Sequence, residues 1–210
     1  MNKEINSNGY NYVDLGLPSG TFWATMNVGA SKPSDCGLYF QWGDTQGYTA
    51  NQVGKDKQFN WKDYKFSIDG SYSNFSKYAT NGATLDLEDD AANANMGGDW
   101  HMPTDVQIYE LINNTTANRT TLDGVSGITF TSIKDTSKFI FIPAAGFAWD
   151  GSIYDVDGSV YYSELDGNVW SSMISTEYIY CGQYIGFDSI YANLRCGDRC
   201  CGFSARGVIG

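Results

Sequence analysis

Leu85–Asn114 reads LDLEDDAANANMGGDWHMPTDVQIYELINN, and it is the one stretch of the chain that predicts helices. In its first half, Asp86 is the predicted N-cap. Glu88, Asp89 and Asp90 fall in the first turn, where helix dipole and free N–H groups favour anions, and Gly97 closes the end. Leu87, Ala91 and Ala94 share one face of this helix. In the second half, Thr104 and Gln107 have the spacing of a capping box, and Ile108, Leu111 and Ile112 follow as an apolar stripe. Upstream, YNYVDLGLPSGTFWATMNVGA predicts two strands around a turn at Pro18-Ser19-Gly20. Tyr12, Val13, Leu15 and Leu17 lead in, and Phe22, Trp23, Met26 and Val28 lead out. Beyond Thr115 the pattern turns to strands. FIFIPAAGFAW reads as a buried central strand, and turn signals follow at Asp150-Gly151 and Asp157-Gly158. Two helices between N-terminal and C-terminal strands define an α+β domain.

The 210 residues suit one large domain with a real core. Fifteen Tyr, eleven Phe, six Trp and 24 Gly favour short strands, tight turns and an aromatic surface over a helical bundle. Gln46–Gly82 is polar and Tyr-rich, a long irregular segment packed by its own aromatics. The net charge of −11 argues against nucleic acid as a partner, since that binding needs a basic footprint. No apolar run reaches the roughly 20 residues of a membrane span, and no signal-peptide core follows Met1.

Leu194–Gly202, LRCGDRCCG, carries three of the five cysteines, with Cys181 upstream. Structural zinc needs paired short spacings of Cys or His, whereas adjacent Cys200 and Cys201 point to opposite faces of a strand and the single histidine, His101, is remote. A turn could join Cys196 to Cys200 as a disulfide, although an odd cysteine count leaves one over. A reactive thiol needs thiolate stabilisation, for which Arg195 and Arg199 are the nearby candidates. His101, between Trp100 and Met102, is expected to be a packed structural residue. Asp89-Asp90 reads as a helix N-terminal charge pair rather than a catalytic dyad. No phosphate loop and no serine elbow is present.

YVDLGLPSGTFWATMNVGA, GLYFQWGD, DDAANANMGGDWHMPT, FIPAAG, VWSS and GFSAR occur in that order. Together they resemble bacterial and phage surface proteins with a C-type-lectin-like domain, of the subgroup related to formylglycine-generating enzyme. The resemblance spans Tyr12 to Arg206. It implies a single domain over 1–210, with two helices packed on short antiparallel sheets and long irregular loops. GGDWHMPT would lead into the second helix, and VWSS and GFSAR would be framework strands. Enzymatic members of the fold hold copper on a cysteine pair and oxidise a sulfatase cysteine. Carbohydrate-binding members use Glu-Pro-Asn or Gln-Pro-Asp and Trp-Asn-Asp to hold calcium, and none of these tripeptides occurs here.

A third branch of the family is diversified by retroelements, which mutate template adenines, typically in AAY codons for Asn. Free replacement of both adenines gives NNY, which cannot encode Lys, Glu, Gln, Met or Trp. In the candidate variable interval, residues 173–201, only Met173, Glu177 and Gln183 fall outside the permitted set, and from Tyr184 to Gly210 nothing does. Cysteine is reachable as TGY. On this reading the thiols are products of diversification rather than ligands, and Cys196, Cys200 and Cys201 should be exposed.

Strand alternation in YIYCGQYIGFDS places Ile179, Cys181, Ile185 and Phe187 on a core face. Tyr178, Tyr180, Gly182, Tyr184, Gly186 and Asp188 take the other, offering rigid aromatic contact area with polar tips. Tyr191, Asn193, Arg195, Cys196, Asp198, Cys200 and Cys201 complete the expected ligand-binding set. Arg199 matches a framework arginine of the family, and Trp23, Trp42, Trp100 and Trp170 are expected in the core or scaffold. The expectation is a non-enzymatic binding protein with no cofactor and no metal, a phage receptor-binding tip or bacterial adhesin. It would sit on the virion or cell surface and recognise a protein or glycan on a target cell, with no membrane insertion; homo-oligomerisation stays open. The alternatives are an oxidase of the formylglycine-generating type and a non-diversified carbohydrate-binding module.

Overall fold

The computed structural model describes residues 5–154, 166–188 and 191–210. β1 (Ile5–Ser7) and β2 (Tyr10–Val13) form a hairpin, and β2 pairs antiparallel with β3 (Phe22–Ala24). The predicted turn lies between them: Gly20 N–H donates to Leu17 O at 3.1 Å, and Gly20 takes a positive φ of 82°, which suits glycine. β4 (Tyr39–Phe40) follows. The segment 46–82 is largely irregular, as expected. Phe59, Tyr64, Phe66 and Phe75 bury their rings within it.

Two helices form, and the first differs from expectation. α1 is short (Ala91–Met96), and its N-cap is Asp90, whose carboxylate accepts from Asn93 N–H. Asp86 instead precedes a single 3-10 turn, Leu87–Asp89, with Leu87 and Ala94 both exposed. The physical reason is tertiary. Asp90 also accepts from Met102 N–H, at 3.0 and 2.8 Å from its two oxygens, so it ties the helix start to a segment that follows the helix. α2 (Asp105–Asn114) matches its signature. Thr104 Oγ1 accepts from Gln107 N–H, and Gln107 Oε1 accepts from Thr104 N–H. Ile108 and Leu111 are fully buried, while Val106 and Tyr109 face solvent.

β5 (Thr115–Leu122), β6 (Val125–Ser132) and β7 (Phe139–Pro143) form an antiparallel three-stranded sheet in that order. In the apolar run FIFIP, Ile140–Pro143 are buried and Phe139 is exposed, and the run is an edge strand rather than a central one. An apolar run reports what covers its two faces, not how many strands flank it. β8 (Phe147–Trp149) and β9 (Ser152–Tyr154) make a hairpin at the predicted Asp150-Gly151 turn, both residues with φ > 0. The predicted Asp157-Gly158 turn lies outside the described residues.

β10 (Gly167–Ile174), β11 (Cys181–Phe187), β12 (Ala192–Asp198) and β13 (Phe203–Ser204) then complete the largest sheet, and β14 (Val208–Ile209) returns to β3, closing the N-terminal sheet. The large sheet runs β12-β11-β10-β13-β4, antiparallel except for β10 with β13, and it places β12 at an edge. Its two faces bury separate cores. Val169, Ile185 and Phe187 pack against Ile108 and Leu111 of α2 and against Ile128, Phe130, Ile140 and Ile142 of the three-stranded sheet. Trp170 and Phe203 pack on the other face with Phe40, Trp42 and Trp100. Among the described residues, no helix is long and apolar enough to cross a membrane.

Candidate binding hairpin and its frame

The quoted motifs converge on one frame. Trp42 Nε1 donates to Ser171 O at 2.9 Å, and Trp170 Nε1 donates to Phe40 O at 2.7 Å. Ser172 N–H donates to Pro103 O at 2.8 Å. Arg206 is fully buried, with Nε and Nη2 both on Asn27 Oδ1, and burial brings its guanidinium down to about 9. Arg199 is also fully buried. It donates to Tyr64 Oη, Tyr78 O and Ile179 O, and its guanidinium lies over the Phe75, Trp42 and Tyr64 rings. Trp23, Trp42, Trp100 and Trp170 are all fully buried. His101 is half-buried, with Nδ1 2.9 Å from Met102 O, and its backbone pairs with Val208, as a structural residue should.

The β11–β12 register, Cys181↔Asp198 through Phe187↔Ala192, separates the candidate residues by face. Cys181, Ile185 and Phe187 point to the core, as expected; Ile179, just before the strand, is half-buried. On the opposite face lie Tyr184, Arg195 and Asn193. Tyr184 is half-buried, its ring against Trp170 and Phe203, and burial pushes its hydroxyl up to about 12. Arg195 reaches Asp188 at 2.5 Å. Asn193, Cys196, Tyr178 and Tyr191 are exposed, and Tyr180, Asp188, Arg195 and Asp198 are half-buried. Tyr178 and Tyr180 sit in the turn before β11. Tyr180 also contacts Tyr72, a ring from the long irregular segment that sequence reasoning left out of the site.

Four expected surface positions are buried instead. Cys200 is fully buried among Tyr64, Phe66 and Phe75, and Cys201 is 8% exposed in the tryptophan core. The loop that covers Cys200 lies more than a hundred residues upstream, so local alternation could not show the cover. Gly182 and Gly186 are buried as well. A Cβ on Gly182 would stand 2.6 Å from Trp42 Cδ1 and 2.9 Å from Trp170 Cζ3. At Gly186 it would stand 2.7 Å from Arg195 Cδ, the movable part of a flexible side chain.

All five cysteines are free thiols. Burial, with Cys196 beside it, pushes Cys181 up to about 12. A hydrogen bond with Cys201 and then burial push Cys200 far above the ordinary thiol range. Both therefore hold their protons at neutral pH, the opposite of an activated nucleophile. The carboxylates of Asp86, Glu88 and Asp89 come together, but Lys77 Nζ fills the space between them at 2.8, 2.8 and 2.5 Å.

A cleft of about 230 Å³ opens beside the hairpin, lined by Phe147, Asp166, Asn168, Tyr184, Gly197, Asp198, Cys201 and Phe203. Sequence reasoning missed Phe147, Asp166, Asn168, Gly197 and Phe203. Alternation in β8 was the available signal, since Ala148 is fully buried and Phe147 is not. Compared with known protein families, curated proteins and solved structures, the chain matches none.

Proposed function

We propose that this chain is a ligand-binding protein of the C-type-lectin-like class, in the branch related to formylglycine-generating enzyme, whose C-terminal hairpin is diversified by a retroelement. One observation carries the reading: an edge hairpin drawn, Gln183 apart, from the NNY amino-acid set stands on a buried frame. Tyr178, Tyr191, Asn193 and Cys196 are exposed on that hairpin, while buried Arg199 ties its base to Tyr64, Tyr78 and Ile179. Two of the three residues outside the set are withdrawn from solvent: Gln183 is buried and Met173 half-buried. Such a scaffold varies contact chemistry without varying the fold. Recognition then rests on Tyr and Arg, the side-chain types that dominate binding hot spots. The setting would be a phage virion or a bacterial surface, and the ligand a protein or glycan on a target cell.

The test is genomic. Sequencing the flanking DNA should find an adenine-rich near-copy of the 3′ end of the gene beside a reverse transcriptase. Differences directed at adenines should fall at the codons for Tyr178, Tyr180, Tyr184, Arg195 and Cys196. A near-copy without such differences, or none at all, overturns diversification. Copper-dependent turnover of a cysteine-containing peptide would instead establish the oxidase reading.

A further inference from the structure

The cleft beside Tyr184 has aromatic walls and acceptor groups. Phe147 and Phe203 meet at 6.1 Å and 84°, and Tyr184 and Phe203 at 4.6 Å and 64°, so the three rings bound the space from different directions. Gly197 keeps it open: a Cβ there would stand 3.1 Å from both Phe203 Cζ and Tyr184 Cε1. The polar lining is rich in acceptors. Asn168 Nδ2 donates one of its two hydrogens to Gly146 O, its carbonyl oxygen is an acceptor, and Asp166 and Asp198 line the same space.

The nearest cation of the hairpin lies on the other side of Tyr184. A Cβ on Gly186 would meet Arg195 Cδ and Tyr184 Cε2, the ring edge opposite the one at the cleft, and Arg195 closes on Asp188. Its charge reaches Asp166 but is not among the influences on Asp198, whose carboxyl is raised by burial. The cleft therefore combines aromatic rings with a partly desolvated carboxylate that no cation of the described residues neutralises. Aromatic rings attract cations through their quadrupole, and cages of them recognise ammonium groups. The volume falls below the roughly 300–1,000 Å³ of drug-sized sites and suits one head group on a short stem.

We propose that this cleft binds an organic cation, an ammonium or guanidinium head on an aliphatic stem, with Phe147, Tyr184 and Phe203 around it and Asp198 as its counter-charge. The assignment rests on the reading of the hairpin as a binding surface and narrows what that surface takes.

The experiment is an aromatic-region NMR titration of the full chain at fixed ionic strength. The probes are tetramethylammonium, N-acetyl-lysine methylamide, N-acetyl-arginine methylamide and, as a neutral control, N-acetyl-norleucine methylamide. Saturable shifts confined to Phe147, Tyr184 and Phe203 are expected with the cations and not with norleucine. Asp198→Asn and Phe147→Leu should each weaken binding at least tenfold, in protein whose remaining spectrum is unchanged. Tighter binding of the lysine or arginine amide points to a side chain of a protein ligand; tighter binding of tetramethylammonium points to a free quaternary amine. The proposal is overturned by the absence of saturable shifts with every cation, by equal shifts with norleucine, or by full affinity in both variants. If the wild type takes no cation yet binds a glycan or protein through Tyr178, Tyr191 and Asn193, the cation site falls and the binding reading stands. If a cation binds while the flanking DNA lacks a template copy, the site stands and diversification falls.

Discussion

Two neighbours in sequence, Arg199 and Cys200, show how little a residue's type reveals of its setting. Both are fully buried, while Cys196, four positions before Cys200, is exposed. Arg199 satisfies three backbone carbonyls and a phenol, so truncation strands buried acceptors at about 1–3 kcal/mol each. Arg199→Met should therefore lower stability by about 3 kcal/mol or more in urea melts. Gly182→Ser, which drives a side chain into Trp42 and Trp170, should cost about 1–3 kcal/mol. Cys196→Ser should stay within about 0.5 kcal/mol. Equal losses at Cys196 and Gly182 would contradict the division between changeable hairpin and fixed frame. The arginine's burial agrees with its exclusion from the expected binding set. The glycine's burial was not legible, because the rings that forbid a Cβ come from β10 and from the segment after β4.

Among the elements, α2 was legible nearly in full, since its cap and stripe are local. Thr104→Ala removes the acceptor for Gln107 N–H and should lower the melting temperature by the equivalent of about 1 kcal/mol. No change there would show that the cap contributes nothing to the fold. α1 was legible in existence but not in its start. Three of the four acidic residues pair with lysines outside the helix: Asp86 and Glu88 meet Lys77, and Asp89 meets both Lys65 and Lys77. Only Asp90 caps. β7 was legible as buried but not as an edge, because hydrophobicity carries no record of strand order. For the hairpin, alternation gave the faces of β11 correctly at Cys181, Ile185 and Phe187, yet could not say that Cys200 and Cys201 beyond β12 are covered.

At the scale of the molecule, Lys77 links the irregular segment 46–82 to the start of α1, and the link is pH-dependent. The hydrogen bond from Lys77 leads the causes that lower the Asp86 carboxyl. For Asp89, burial pushes upward, and the bonds from Lys65, Lys77 and Tyr78 outweigh it. A carboxyl lowered by folding stabilises above its unfolded value, about pH 4, and loses that contribution as pH falls through its folded value. Lys77→Met should therefore melt below the wild type at about pH 7, with the gap closing toward about pH 2. A gap that persists undiminished in acid would show that the charges do not couple the loop to the helix. Asp90 runs the other way. Burial raises it, so its ionisation above the usual carboxylate range opposes folding and partly offsets its cap.

By itself the sequence determined the α+β class, the helix α2, the turns at Pro18-Ser19-Gly20 and Asp150-Gly151 and the buried tryptophans. These follow from local signals: caps, glycine conformations and periodicity. Only the tertiary structure decided which of the candidate binding positions reach solvent, that α1 begins at Asp90, and that Phe147, Tyr184, Phe203, Asp166 and Asp198 enclose one cleft. Each of these depends on which distant segment covers a face, and alternation along a strand names the face without naming its cover.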